Sequence, residues 1–156
     1  MSATPRAPLL TTGIYLVADW RSGVIQYANA GHPKPLHVRR RAGSVVPLAN
    51  ASGKSQPALG LIEQASYQAS EALLLPDDLL VLFTDGLIEV QNETGELYSS
   101  PLLAAEVASR CNQPTCQLFD NLLDQIRCFA GGAPFPDDVC MVGLDFLGDS
   151  DRFLNR

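Results

Sequence analysis

Short runs of alternating hydrophobic and polar positions dominate the first half of the chain and predict β-strands. Residues 13–20 (GIYLVADW) and 24–30 (VIQYANA) flank a short turn, which is typical of a hairpin. The segment 35–40 (PLHVRR) continues as a further strand. Residues 42–57 are rich in Gly, Ser, Asn and Pro, so we expect a surface loop there.

The pattern changes in the second half of the chain. Residues 66–75 predict a strand that leads into a turn, and residues 79–84 (LLVLFT) have the apolar composition of a central strand. Apolar side chains then recur at helical spacing in 101–110 and 117–129, which predicts two amphipathic helices. Residues 137–146 (DDVCMVGLDF) predict a final strand.

This order of elements predicts an α+β fold with a largely antiparallel sheet and helices packed on one side. The chain has 156 residues, of which 46% are apolar and 18% charged, and this suits an ordinary globular protein with a real core. We therefore expect a single domain over residues 1–156.

The charge of the chain argues against a nucleic-acid surface. The formal net charge is −6, and the densest basic cluster is Arg39 to Arg41, which we interpret as a solvated hairpin end. No apolar run approaches the roughly 18 residues of a membrane span, and the N-terminus lacks the pattern of a secretion signal. A cytoplasmic protein is expected.

The cysteines show no CxxC pair and lie mostly within apolar patterns, so we expect reduced, buried thiols and not disulfides or zinc ligands. They are Cys111, Cys116, Cys128 and Cys140. Of the two histidines, His32 precedes a proline and is either a general acid or, in the favoured interpretation, a structural hydrogen-bonding residue. His37 lies in an alternating strand and is expected at the surface.

Two acidic corners carry the candidate chemistry. The central strand ends in Asp85 and Gly86, and Asp137 with Asp138 directly precedes the last strand. An unpaired carboxylate beside an apolar core is costly, so a turn, hydrogen bonds or a cation should compensate it. If the two strands are neighbours, the carboxylates can converge on Mg²⁺ or Mn²⁺, which prefer oxygen ligands. Spacing alone leaves the ordinary alternative open, because Asp-Gly and Asp-Asp also occur in simple turns.

Five segments resemble, in order, the successive motifs of a known family. They are ANAGHPKPLHV (28–38), ALGL (58–61), LLVLFTDGLIEVQN (79–92), GELYS (95–99) and FAGGAPFPDDVCMVGLDF (129–146). Together, over residues 11–146, they resemble the SpoIIE-type branch of the PPM metal-dependent serine/threonine protein phosphatases. The resemblance implies a β-sandwich flanked by helices. It also implies a centre of two Mn²⁺ or Mg²⁺ ions, where water attacks the phosphorus of phosphoserine or phosphothreonine.

The resemblance also implies roles for particular residues. By motif, Asp85 and Asp137 resemble metal ligands and so carry the catalytic function. Four neighbours are expected to support them by orienting the turn, by allowing close backbone approach or by shaping the floor of the site: Asp138, Gly86, Gly31 and His32.

The chain departs from the family pattern in two places. The upstream Gly-Asp segment, which supplies the aspartate that bridges the two metals, has no counterpart before Thr11, and Cys140 stands where threonine is more frequent. We therefore expect the C-terminal part of the domain, with an incomplete active site and exposed sheet edges that favour self-association.

The implied function is hydrolysis of a phosphorylated protein in bacterial regulatory signalling, often an anti-sigma-factor antagonist, under the control of an upstream sensor domain. The alternative is a non-catalytic, phosphatase-like adaptor module that docks a signalling protein. The absent upstream motif and Cys140 favour this alternative.

Overall fold

A computed structural model describes residues 10–148 of the chain. In this range the chain forms seven strands and two α-helices. The strands are β1 (Gly13–Ala18), β2 (Val24–Ala30), β3 (Leu36–Arg39), β4 (Ser44–Pro47), β5 (Ser70–Leu73), β6 (Asp78–Phe83) and β7 (Met141–Phe146). The helices are α1 (Ser100–Ser109) and α2 (Thr115–Phe129).

The strands form two antiparallel sheets. One has the order β1-β2-β5, and the other has the order β4-β3-β6-β7. The two sheets pack face to face, and the helices cover the outer face of the four-stranded sheet. The expected α+β sandwich with helices on one side is confirmed.

Strand β6 lies at the centre of this arrangement and is buried on both faces. Leu80 and Leu82 contribute to the core between the two sheets, whereas Leu79, Val81 and Phe83 pack toward the helices. An apolar run without alternation is what such a doubly covered strand requires. Burial of both faces fixes the position of β6, and therefore of the acidic corner that follows it.

Helix α2 packs through side chains one turn apart. Leu118, Leu122 and Ile126 are buried on one face of the helix. A close approach to β7 occurs at Gly143, where a Cβ atom would lie 2.7 Å from the Thr115 Cγ2 atom. Glycine at this position lets the helix lie directly on the strand.

Two local expectations about the strands are wrong. The predicted loop 42–57 contains β4, which pairs with β3 through Val45 and Val46. His37 is 2% exposed and not at the surface, because its side chain lies among buried residues and is hydrogen-bonded to Asp78 (Nε2 to Oδ2, 2.7 Å).

The cysteine expectation is wrong in part, since all four thiols are free but only Cys111 is buried. The others are Cys116, Cys128 and Cys140, which are exposed. The basic cluster is also more than a solvated end, because the Arg40 guanidinium donates to the Gln113 carbonyl and to Thr115 and Asp145.

Across residues 10–148, no helix has the length and apolar character needed to cross a membrane.

Candidate metal site

The pairing of β6 with β7 brings the two acidic corners together. The strands are antiparallel with Phe83 opposite Met141, so the end of β6 and the start of β7 lie at the same end of the sheet. Asp85 begins a short 3₁₀ turn, Asp85–Leu87, directly after β6. The loop that contains Asp137 and Asp138 enters β7 beside this turn.

Gly86 is buried where the turn meets the acidic loop. A Cβ atom at this position would lie 2.7 Å from the Asp138 carbonyl oxygen and 3.0 Å from that of Asp137. Both distances involve backbone atoms, which cannot move aside as a flexible side chain could. The absence of a side chain at Gly86 therefore lets the backbones of the two corners touch.

Thr84 ties the same two segments together by hydrogen bonds. Its hydroxyl donates to the Asp138 carbonyl (2.8 Å) and accepts from the Cys140 backbone N–H (2.9 Å). The Thr84 N–H also donates to the Cys140 carbonyl (3.1 Å). Sequence reasoning missed this role, although a hydroxyl at the end of an apolar strand and beside an acidic turn was a visible signal.

The three carboxylates differ in their surroundings. Asp85 is half-buried, and within residues 10–148 its carboxylate accepts no hydrogen bond from a protein group. Asp137 and Asp138 are exposed. The Asp137 Oδ1 atom accepts the backbone N–H of Asp138 (2.7 Å), so the Asp137 side chain is oriented by its own turn.

The turn that follows β2 carries Gly31 and His32. The buried Asn29 side chain donates to the His32 carbonyl (2.9 Å) and accepts the His32 N–H (2.8 Å). Gly31 has a φ of 70°, and a Cβ there would lie 3.0 Å from the Ala58 backbone. Sequence reasoning missed Asn29, although an asparagine at the start of a turn often hydrogen-bonds the backbone of that turn.

His32 links this turn electrostatically to the acidic corner. Burial lowers the pKa of the His32 imidazole, and the charge of Asp85 acts in the opposite direction. Its Nδ1 atom also lies 3.4 Å from the Thr12 hydroxyl. The imidazole of His32 therefore lies within electrostatic range of Asp85, and the role of Gly31 and His32 in the site stays a prediction.

The chemical type of the donor atoms in this corner suits a hard divalent cation. Asp85 and Asp137 offer carboxylate oxygens, and Mg²⁺ is usually bound through one or two carboxylates while it keeps several waters. Over the part of the chain that the structure describes, no three His, Cys, Asp or Glu side chains converge closely enough to hold a metal ion. Within the described residues the corner therefore supplies at most two carboxylates for one ion, and such an ion would need further oxygen ligands.

Comparison with solved structures identifies the fold. The structure resembles the phosphatase domain of SpoIIE from Bacillus subtilis, with a TM-score of 0.66, 16% identity, and coverage of 86% of this chain and 58% of that one. It also resembles the SiaA-PP2C domain of Pseudomonas aeruginosa, with a TM-score of 0.66, 20% identity, and coverage of 80% and 47%. The fold is that of PP2C-type phosphatase domains.

Sequence comparison is more specific. The family model described as Stage II sporulation protein E (SpoIIE) matches residues 2–147, and the chain belongs to this family. The phosphoserine phosphatase RsbP of Bacillus subtilis is 29% identical over 134 residues, which cover 86% of this chain and 30% of RsbP. The chain spans 20–30% of the length of the curated relatives it matches. The predicted family is confirmed, and the predicted metal ligands stay a prediction.

Proposed function

We propose that this chain forms part of a metal-dependent phosphoprotein phosphatase that hydrolyses phosphoserine or phosphothreonine in bacterial regulatory signalling. The observation that carries the proposal is the meeting of the Asp85 turn and the Asp137 loop at one end of the β6–β7 pair, in a chain of the SpoIIE family. RsbP is itself a phosphoserine phosphatase. We further propose that residues 1–156 act as one domain and that the protein works in the cytoplasm.

In this proposal Asp85 and Asp137 hold Mn²⁺ or Mg²⁺. A bound ion of this kind acts as a Lewis acid and makes water nucleophilic near neutral pH. One of the structures similar to this chain is the SpoIIE phosphatase domain presoaked with Mn. Asp85 is the better supported of the two proposed ligands. Its carboxylate is half-buried and, within residues 10–148, accepts no hydrogen bond from a protein group.

The remaining residues of the corner hold these ligands in place. Thr84 and Gly86 keep the acidic loop against the end of β6, and the Asp138 N–H orients the Asp137 carboxylate. Asn29 fixes the turn that carries Gly31 and His32. Such support matters because ligands that are locked by their neighbours bind metal more tightly than mobile ones.

A phosphorylated protein is the proposed substrate, with an anti-sigma-factor antagonist as the first candidate and an upstream sensor domain as the regulator. A similar structure contains the RsbU and RsbW domains of one Mycobacterium tuberculosis protein, at 26% identity and a TM-score of 0.65. That similarity supports a signalling role for this chain.

Metal removal tests the proposed activity. The full-length protein should release phosphate from a phosphoserine protein when Mn²⁺ is present, and an excess of chelator should reduce the rate to background. Added Mn²⁺ should restore it, because in this proposal the attacking water depends on a bound metal ion. A phosphatase that uses a protein side chain as its nucleophile would remain active in the chelator. A phosphotyrosine peptide serves as the control substrate and should be hydrolysed far more slowly.

A docking module is the second candidate, and the presence of only two candidate carboxylate ligands in the described corner favours it. Such a module would bind a phosphoprotein without releasing phosphate at any Mn²⁺ concentration. Stable binding with no hydrolysis by the full-length protein would therefore reject the phosphatase and select the adaptor.

A further inference from the structure

A small polar cleft is lined in part by His32, the residue on which the charge of Asp85 acts. The cleft has a volume of about 70 Å³ and lies between the turn after β2 and the loop after β4. Its lining includes Asn29, His32, Lys34, Asn50, Ser55 and Gln56. This volume is well below the roughly 300 Å³ of a typical ligand pocket, so the cleft suits a small group such as an oxyanion.

The charge of this cleft is opposite to that of the protein. The chain carries 17 acidic residues and a net charge of −6, yet among the described residues no Asp or Glu lines the cleft. Lys34 supplies a positive charge, and the Ser55 hydroxyl can donate a hydrogen bond. The amide nitrogens of Asn50 and Gln56 each bond a backbone carbonyl and keep a second N–H for a ligand. This combination is complementary to an anion.

Lys34 is also free to bind a ligand. The ion pairs within residues 10–148 all use arginine or histidine as the basic partner, and Lys34 takes part in none of them. Prolines precede and follow it, at Pro33 and Pro35, and both restrict the backbone at this position. A lysine on a stiff backbone loses less entropy when it binds than one on a flexible loop.

The walls of the cleft are held by hydrogen bonds of their own. On one side, Asn29 fixes the turn through both polar atoms of its amide. On the other side, the Asn50 amide donates to the Lys54 carbonyl (2.8 Å), and the Ala51 N–H donates to the Ser70 hydroxyl (2.8 Å). The cleft is therefore a defined feature of the fold.

We propose that this cleft is a subsite for an oxyanion of the phosphoprotein substrate, with Lys34 as its charged contact. The proposal rests on the proposed phosphatase function, because it assigns the cleft to the substrate of that reaction. The oxyanion is either the phosphoryl group itself or a carboxylate that flanks the phosphorylated residue. Lys34 is a positioning and specificity residue in this scheme.

Binding by the metal-free, full-length protein tests the proposal without requiring catalysis. Two fluorescent peptides are compared by polarisation: an acidic peptide with one phosphoserine, and the same peptide unphosphorylated. Lys34→Gln should weaken binding of the phosphopeptide about tenfold, since a charge-assisted hydrogen bond is lost. Lys34→Arg should stay within about threefold of wild type.

The matched control is Arg21→Gln, which removes one positive charge from an exposed position in the turn before β2, at the opposite end of β2 from the cleft. It should leave binding within about threefold of wild type. Equal losses in the two glutamine variants would overturn the proposal, because they would show a diffuse effect of charge. Wild-type binding by Lys34→Gln would overturn it as well.

The two peptides identify the source of the oxyanion. A loss confined to the phosphopeptide assigns the cleft to the phosphoryl group, and a loss for both peptides assigns it to a flanking carboxylate. Kinetics of the Mn²⁺-loaded protein add a second readout, in which Lys34→Gln raises KM about tenfold and leaves kcat within about twofold. If the loaded protein releases no phosphate, the proposed function fails, and the binding result still decides whether the cleft holds an anion.

Discussion

Asp85→Asn should lower Mn²⁺-dependent phosphate release by the full-length protein at least a hundredfold, or about 2.7 kcal/mol of transition-state stabilisation. Loss of residues that only orient metal ligands typically costs about 10-fold to 100-fold, so loss of a ligand itself should exceed that range. Asparagine preserves the shape of the side chain and removes the anionic oxygen. The measurement is kcat/KM on a phosphoserine protein at saturating Mn²⁺.

The control for this variant is Asp120→Asn, which removes one negative charge from an exposed position on α2. Its rate should stay within about twofold of wild type, since exposed charges far from the reaction are screened by salt. A wild-type rate in the Asp85→Asn variant would show that Asp85 is not a metal ligand.

His37→Ala should reduce the free energy of unfolding by about 3 kcal/mol, and Asp78→Ala by about the same or more. The two side chains are each 3% exposed, and the His37 Nε2 and Asp78 Oδ2 atoms lie 2.7 Å apart. The Asp78 Oδ2 atom also accepts the Leu75 N–H (2.9 Å), which holds the turn before β6. Removing one partner leaves the other buried without its hydrogen bond, which costs more than the bond itself contributes.

An exposed pair in the same protein provides the comparison. Asp124 lies 3.2 Å from Arg127 on α2, and both side chains are more than half exposed. Asp124→Ala should change stability by about 0.5 kcal/mol or less, as for most surface ion pairs. Chemical denaturation measures all three variants, and a loss in His37→Ala no larger than that in Asp124→Ala would contradict the structural role of the buried pair.

The parts of the fold that could be predicted from the sequence are those with a strong local pattern. Strand β6 is an unbroken apolar run because both of its faces are covered, and α2 repeats buried residues at one-turn spacing. Strand β4 was missed because Val45 and Val46 are its main strand signal within a segment of loop-forming residues. Its pairing with β3 outweighs that composition.

Other features depend on partners that are far away in the chain. His37 fits an exposed position by alternation, but its partner Asp78 lies 41 residues later and both are buried. The hydrogen bonds between Thr84 and the loop before β7 join residues that are more than 50 positions apart in the chain. Local patterns carry no information on such pairings. The meeting of the two acidic corners could be expected only if β6 and β7 were neighbours, and the family resemblance supplied that expectation.

Calorimetric titration of the protein with Mn²⁺ tests most directly whether Asp85 and Asp137 share one cation. Asp85→Asn and Asp137→Asn should each weaken Mn²⁺ binding at least about tenfold, and their effects should not add in the double variant, because both act on one ion. Asp138→Asn removes the same charge one residue away and should cost clearly less. Mn²⁺ binding by Asp137→Asn as tight as that of the wild type would contradict the shared site.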